Sequence, residues 1–472
     1  MTPANSVEEL KAAISKTVKI EKGRVSVANW EAFRQDAVDK LVWTSAFSSS
    51  DETKAMASWI VQSIARSAGN GPATINDIYM AIGRGQLAQN FTVPAINVRA
   101  IAYYFARSIF KAAKRHECGA IIFEIARSEM GYTNQPPREY TTSILAGALK
   151  ESYPWPVFIQ GDHFQINAKN YAKNPDAEVE GLKKLISESV EAQFYNIDLD
   201  TSTLVDLSKT SLEEQQYQNS LQAATLTQYI RKVQPAGVTV SVGGEIGEVG
   251  GKNSTADELN AYMGEYARFL GAGMTGISKV SVQTGTSHGG VVLPDGTMAK
   301  VKVDFDTLGK LSSIIRSKYG MGGAVQHGAS TLPVELFDKF PQVGTCEIHL
   351  ATEFQNILFE HPQFPADLKQ EVYAYLLKEA ANERKEGETD QQFFYKTRKK
   401  AVGAFKRAMW SLPDGVMAGI MASLEDKVDL LIRKLNVSGT GPVIKPHAKI
   451  PSGDVPMPKE AAAKAQQFEG DD

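Results

Sequence analysis

The chain has 472 residues, two cysteines and a formal net charge of −3, with 43% hydrophobic and 22% charged residues. That balance is ordinary for a globular protein, excludes a disulfide scaffold and supplies no global basic field for nucleic acid or an anionic membrane. No run of about 18 apolar residues marks a membrane span, and the opening MTPANSVEELKAAISK lacks the apolar stretch of a secretory leader, so a cytoplasmic protein is expected.

Residues 1–90 read as a helical N-terminal extension. VEELKAAISK, NWEAFRQDAVDKLVW and ETKAMASWIVQSIARSA carry apolar residues at helical spacing, and Asn29 stands where it would cap the second. SAGNGPA breaks the pattern before one more short helix around INDIYMAI. From residue 91 short apolar, β-rich runs alternate with longer helical segments. The expected strands are 93–98, 119–125, 155–162, 194–200, 237–243, 276–283, 322–328 and 344–350. Eight strands in βα alternation predict a parallel sheet closed into a (β/α)8 TIM barrel over residues 91–355. A doubly wound open sheet is the rival, but no GxGxxG turn follows the first strand. Residues 356–435 read as C-terminal helices. Residues 436–472, rich in Gly, Pro and Lys, read as a flexible tail.

Four of the seven histidines, His163, His288, His327 and His349, fall at or just past the carboxyl ends of expected strands. In a (β/α)8 barrel those ends form one rim, where active sites sit. Three neutral imidazoles around one cation leave an open position, the pattern of a catalytic zinc site. Asp162 precedes His163 in QGDHF, and Glu245, in GGEIGEVGG, adds a carboxylate. Gly289 and Gly328 directly follow His288 and His327, allowing close backbone approach by an anion. A lone histidine is more often a surface or core residue, and GGEIGEVGG alone could be a flexible loop without the Walker lysine. His349 stays open between the rim and the barrel interior. The aromatic run AYYF (102–105) is most simply helix packing.

At these motifs the sequence resembles the class II, zinc-dependent fructose-bisphosphate and tagatose-bisphosphate aldolases, over roughly residues 92–355. The resemblance implies Asp162 as catalytic acid/base, His163, His288 and His327 as zinc ligands, and Glu245 as a neighbouring or alternate ligand. Asn97 matches the asparagine of the first strand, and Gly289, Gly328 and Ser330 match positions that hold a substrate phosphate. It further implies a Zn2+ ion, with a monovalent cation as a further candidate, and a homo-oligomer. The implied reaction is reversible aldol cleavage of a ketose (bis)phosphate such as fructose 1,6-bisphosphate into dihydroxyacetone phosphate and an aldehyde.

The chain departs from the family pattern in several places. Gln160 replaces the first histidine of H-x-D-H, and Gly243 replaces the first glutamate of E-x-E. Lys252, Asn253 and Ser254 stand where loop acids are common, and the loop looks shortened. Ala126, with Arg127 and Ser128 adjacent, replaces a phosphate-binding serine. Glu347 and His349 occupy the eighth-strand segment that touches substrate in the family, and an unpaired Glu347 would repel a phosphate. Either Arg127, Arg138 or Lys252 supplies the missing positive charge, or the substrate is not the usual bisphosphate. The rival functions are a non-catalytic subunit stabilising a partner enzyme, favoured by the lost loop acids, and a zinc hydrolase on the same barrel. The hydrolase lacks a second metal's worth of carboxylates beyond Glu245.

Overall fold

The computed structural model describes residues 1–247, 252–286 and 302–458. Eight parallel strands close on themselves: β1 Val93–Asn97, β2 Ile122–Ala126, β3 Val157–Gln165, β4 Asn196–Asp200, β5 Ser241–Glu245, β6 Lys279–Val282, β7 Ala324–Gln326 and β8 Glu347–Leu350. Each pairs with the next, and β8 pairs with β1 through Glu347↔Val93 to Leu350↔Ile96. This is the expected TIM barrel. Several strands begin later than their apolar runs. Before β5, Val240 N donates to Gln234 Oε1 at 3.0 Å and its carbonyl accepts from Arg231 at 2.7 Å. The end of the preceding helix thus satisfies backbone that the alternation assigns to the strand.

Amphipathic helices return the chain between strands. Leu212–Val233 and Ala256–Leu270 each start with a capping box, Ser211 with Glu214 and Thr255 with Glu258. Pro137–Lys150 and Pro175–Glu191 start on proline, whose missing N–H costs nothing in the first turn. No helix among the described residues is long and apolar enough to cross a membrane.

The N-terminal extension is not wholly helical. Val18–Glu21 and Arg24–Val27 form an antiparallel hairpin, reversed at Lys22 and Gly23, both at positive φ. Such a two-residue turn matches the twist of the strands. Farther on, Pro72–Ala73 pairs with β3 at Val157 and Phe158, beside the stretch that β4 does not reach. Buried Asn196 joins the two bodies: its Oδ1 accepts from Ile75 N at 2.8 Å, and its Nδ2 donates to Ala73 O and Ile159 O. The helix Asn76–Gly83 then sends the Tyr79 hydroxyl into the barrel, where it donates to Glu347.

The expected flexible tail is docked as far as residue 458. Thr440 Oγ1 accepts from Gly119 N and Ala120 N at 3.2 and 3.1 Å, and Trp59 Nε1 donates to Val455 O at 2.9 Å. A polar, Gly/Pro-rich composition signals weak self-structure, but here Gly439 N and Gly441 N donate to His116 O and Glu117 O of the barrel, and Val455 O accepts from the N-terminal extension. Trp410 ties the extensions together, packing on Trp43 and on Tyr103 and Tyr104 of the AYYF run.

Deleting residues 439–472 should lower stability by a few kcal/mol, at about 1 kcal/mol per hydrogen bond lost. Urea melts check this; an unchanged midpoint would mean that the tail contributes nothing to the fold.

Candidate functional site

Strand alternation aims Gln160 and Asp162 of β3 into the barrel. The register of β3 against β4 then shifts between Gly161 and Phe164, leaving Asp162 and His163 opposite the single residue Asp198. This bulge, with His163 at φ +38°, adds the histidine to the same rim as Asp162. Left-handed backbone at a non-glycine residue is costly and tends to mark functional positions.

His163 Nδ1 donates to Asp200 Oδ2 at 3.1 Å and lies 3.7 Å from Glu245 Oε2. Its Nε2 lies 3.8 Å from Asp162 Oδ1. The His327 ring stands 4.3 Å from the His163 ring and 4.1 Å from the His349 ring, between centroids. Asp162, His163 and His327 offer donor atoms all within 4.8 Å of one another. These residues fit a metal ion in chemistry as well as spacing. The Asp200 carboxylate fixes the tautomer of His163, so that Nε2 would carry the lone pair, the usual arrangement behind a metal-bound imidazole. Burial opposes ionisation of Asp200, but bonds from His163, Ser202 and Gln165 hold its carboxyl below the ordinary range. Burial and the neighbouring Asp200 push the Glu245 carboxyl well up.

Beneath this level lies a buried charge network. Lys279 Nζ sits 2.5 Å from Glu347 Oε1, 2.9 Å from Asp198 Oδ2 and 2.8 Å from Gln160 Oε1, with the lysine fully enclosed. Glu347 also accepts from Tyr79 and from Gln160 Nε2. His349 bridges the two levels. Its Nδ1 lies 2.9 Å from Glu124 Oε2 and 3.1 Å from Asp162 Oδ1, and its Nε2 lies 2.8 Å from Glu347 Oε1. Burial disfavours the imidazolium, but Glu124 and Asp162 hold His349 charged well above its usual range. Burial and the Asp162 charge push Glu124 up.

The rim opens into a cleft of about 610 Å³ lined by Asp162, His163, His349, Gly328, Ser330 and Arg127, among others. A similar cavity of about 640 Å³ lies among Trp59, Arg66, Arg138 and Met457 and contains none of the imidazole–carboxylate cluster.

The remaining expectations divide. His288 and Gly289 lie outside the described residues, as do loop residues 248–251. Glu347 is wholly buried and paired with Lys279, so it is not the unpaired charge behind the expected repulsion. Asn97 is also buried, and its Nδ2 donates to Glu129 Oε2 at 2.5 Å. Arg127 lines the cleft but pairs with Glu178 at 2.5 Å. Lys252 pairs with Glu258 at 2.8 Å. Arg138 lines the separate cavity, and among the described residues Arg99 and Lys399 also line the cleft. Carboxylates are not limited to Glu245: Glu124, Asp198 and Asp200 also converge. Their sequence signal is a charge inside an otherwise apolar β run, which burial tolerates only when paired.

Lys279→Met should destabilise the fold by roughly 3–5 kcal/mol, because it strands two buried carboxylates; adding Glu347→Gln should recover part of the loss in urea melts. Burial favours neutral Glu347, yet Lys279 and His349 hold its carboxyl far below the ordinary 4.5. Its contribution is therefore complete above about pH 4.5 and fades as the pH falls. Stability of the Glu347→Gln protein should vary less with pH over that acidic range; equal slopes in the two proteins would contradict the assignment.

The model of a family described as fructose-bisphosphate aldolase class-II matches residues 84–410. Among solved structures, the chain is similar to a protein described as a probable tagatose 6-phosphate kinase from Sinorhizobium meliloti. The identity is 16%, with a TM-score of 0.50, over 80% of this chain and 98% of that one. A fructose-bisphosphate aldolase from Campylobacter jejuni matches at 18% identity and a TM-score of 0.45, over 77% of this chain and 94% of that one. An aldolase from Escherichia coli, YdjI, matches at 12% identity and a TM-score of 0.46, over 77% and 98% respectively.

Proposed function

The chain belongs to the class II fructose-bisphosphate aldolase family, and on that premise we propose that it is a zinc-dependent aldolase cleaving a ketose phosphate reversibly. The observation that carries this reading is the meeting of Asp162, His163 and His327 at one point of the barrel rim. His163 and His327, with His288 as the third ligand, would hold the ion, and Glu245 stands beside His163 as neighbour or alternate. Zinc supplies Lewis acidity there, polarising the substrate ketone.

The chain's own residues do the rest. Asp162 exchanges a proton with the substrate oxygen at the bond that breaks, removing the hydroxyl proton in cleavage and returning it in condensation. His349, 3.1 Å from Asp162 Oδ1, orients that carboxylate. Asp200 holds the His163 ring in place. Gly328 and Ser330 line the cleft where the phosphate would sit. Ser330 Oγ accepts from Ala351 N at 3.3 Å, which leaves its own proton available to an anion. The same reading extends to a homo-oligomer working in the cytoplasm, in keeping with two buried free thiols, Cys118 and Cys346.

Chelator-stripped protein should lose retro-aldol activity toward ketose mono- or bisphosphates and regain it with zinc; activity unchanged in chelator would sink the metal role. Asp162→Ala should reduce kcat by at least about 100-fold while zinc content, measured by elemental analysis, stays stoichiometric. Wild-type turnover in that variant would remove Asp162 from the chemistry.

A further inference from the structure

Retro-aldol cleavage moves two protons. One leaves the hydroxyl at the bond that breaks, and one arrives at the donor carbon left behind. Asp162 accounts for the first. Among the described residues two further carboxylates line the cleft, Glu124 and Glu129. Both oxygens of Glu129 are engaged: Arg99 lies 2.7 Å from Oε1, and Asn97 Nδ2 and Ala126 N donate to Oε2 at 2.5 and 2.8 Å.

Glu124 is held differently. It lies on β2, in register with Asn97 of β1 and Gln160 of β3. Its Oε2 faces two donors, His349 Nδ1 at 2.9 Å and Gln160 Nε2 at 3.2 Å. Neither donor is at liberty to turn. Lys279 Nζ holds the Gln160 amide oxygen at 2.8 Å, and the other His349 nitrogen lies 2.8 Å from Glu347 Oε1. Glu124 Oε1, by contrast, is buried without a hydrogen-bond partner among the described residues. A buried oxygen that no donor reaches disfavours the ionised form. Burial and the Asp162 charge accordingly push this carboxyl up. Because Oε2 already accepts twice, the proton belongs on Oε1. The cleft wall therefore carries a protonated carboxyl with one unengaged oxygen.

We propose that Glu124 is a second catalytic acid/base, which transfers the proton at the donor carbon while Asp162 transfers the one at the hydroxyl. In cleavage Asp162 takes the hydroxyl proton and the C–C bond breaks, its electron pair staying on the donor carbon. Glu124 Oε1 then gives that carbon a proton. His349 Nδ1 lies between the two carboxyls, 2.9 Å from Glu124 and 3.1 Å from Asp162, and the proton that Asp162 took returns through it to Glu124. Condensation runs the same transfers backwards, and no further reactant is consumed. The proposal rests on the aldolase reading above.

The test follows the two protons separately in zinc-loaded full-length protein. Exchange of the donor-carbon hydrogen of dihydroxyacetone phosphate with D2O, read by NMR, reports the Glu124 step. The carbanion formed on cleavage of fructose 1-phosphate or fructose 1,6-bisphosphate, oxidised by hexacyanoferrate(III), reports the step before it. Glu124→Gln keeps an acceptor for His349 and Gln160 but has no proton to transfer. It should slow exchange at least about 100-fold while the carbanion is still trapped. Asp162→Ala should do the converse, retaining exchange and losing the trapped carbanion. Glu124→Gln protein with a wild-type urea midpoint overturns the proposal if exchange is unchanged or if both readouts fall equally, and the aldolase reading stands. Loss of exchange in Asp162→Ala also overturns it, since one carboxyl would then serve both protons; this arm decides alone should Glu124→Gln not fold. A wild-type protein that neither exchanges nor cleaves overturns both readings.

Discussion

A fully enclosed ammonium in a protein interior is tolerated only when carboxylates compensate it, and in this barrel that constraint falls on Lys279. Asp198 and Glu347 answer its charge from β4 and β8, and Gln160 answers from β3. Gly243 follows from the same packing. A Cβ there would lie 2.3 Å from Asp198 Oδ1 and 3.0 Å from Lys279 Cε, so the glutamate common in the family at this position has no room. The departures at Gln160, Gly243, Glu347 and His349 thus read as one rearrangement around a buried lysine.

The rearrangement reaches the rim through His349, which lies 3.1 Å from Asp162 Oδ1. His349 touches both tiers, with Glu347 on one ring nitrogen and Asp162 and Glu124 on the other. Above it, the bulge in β3 sets Asp162 and His163 side by side, and Asp200 fixes the imidazole. Among the described residues Asp162, His163 and His327 still meet at the rim.

The barrel and the rim cluster were legible in the sequence because both rest on local signals. Strand alternation and helical periodicity give the element order, and placing Asp162, His163 and His327 at strand ends needs only that order. What was illegible depends on partners distant in the chain. Glu347 looks like an unpaired charge until β6 places Lys279 beside it, 68 residues away. The KG turn of the hairpin 18–27 was a readable local signal, masked by strong helices on either side. The docking of residues 439–458 could not be read, because its stability lies in groups of the barrel and of the N-terminal extension that receive it.

Tyr79 belongs to the N-terminal extension, yet its hydroxyl supplies one of the donors to Glu347 at the centre of the barrel. Residues 1–90 are therefore no appendage in an energetic sense. If the helix Asn76–Gly83 opened, a buried carboxylate would lose a donor and the amino-terminal mouth would admit water toward Lys279. The extension and the barrel share a single charge balance, which begins well before the first barrel strand.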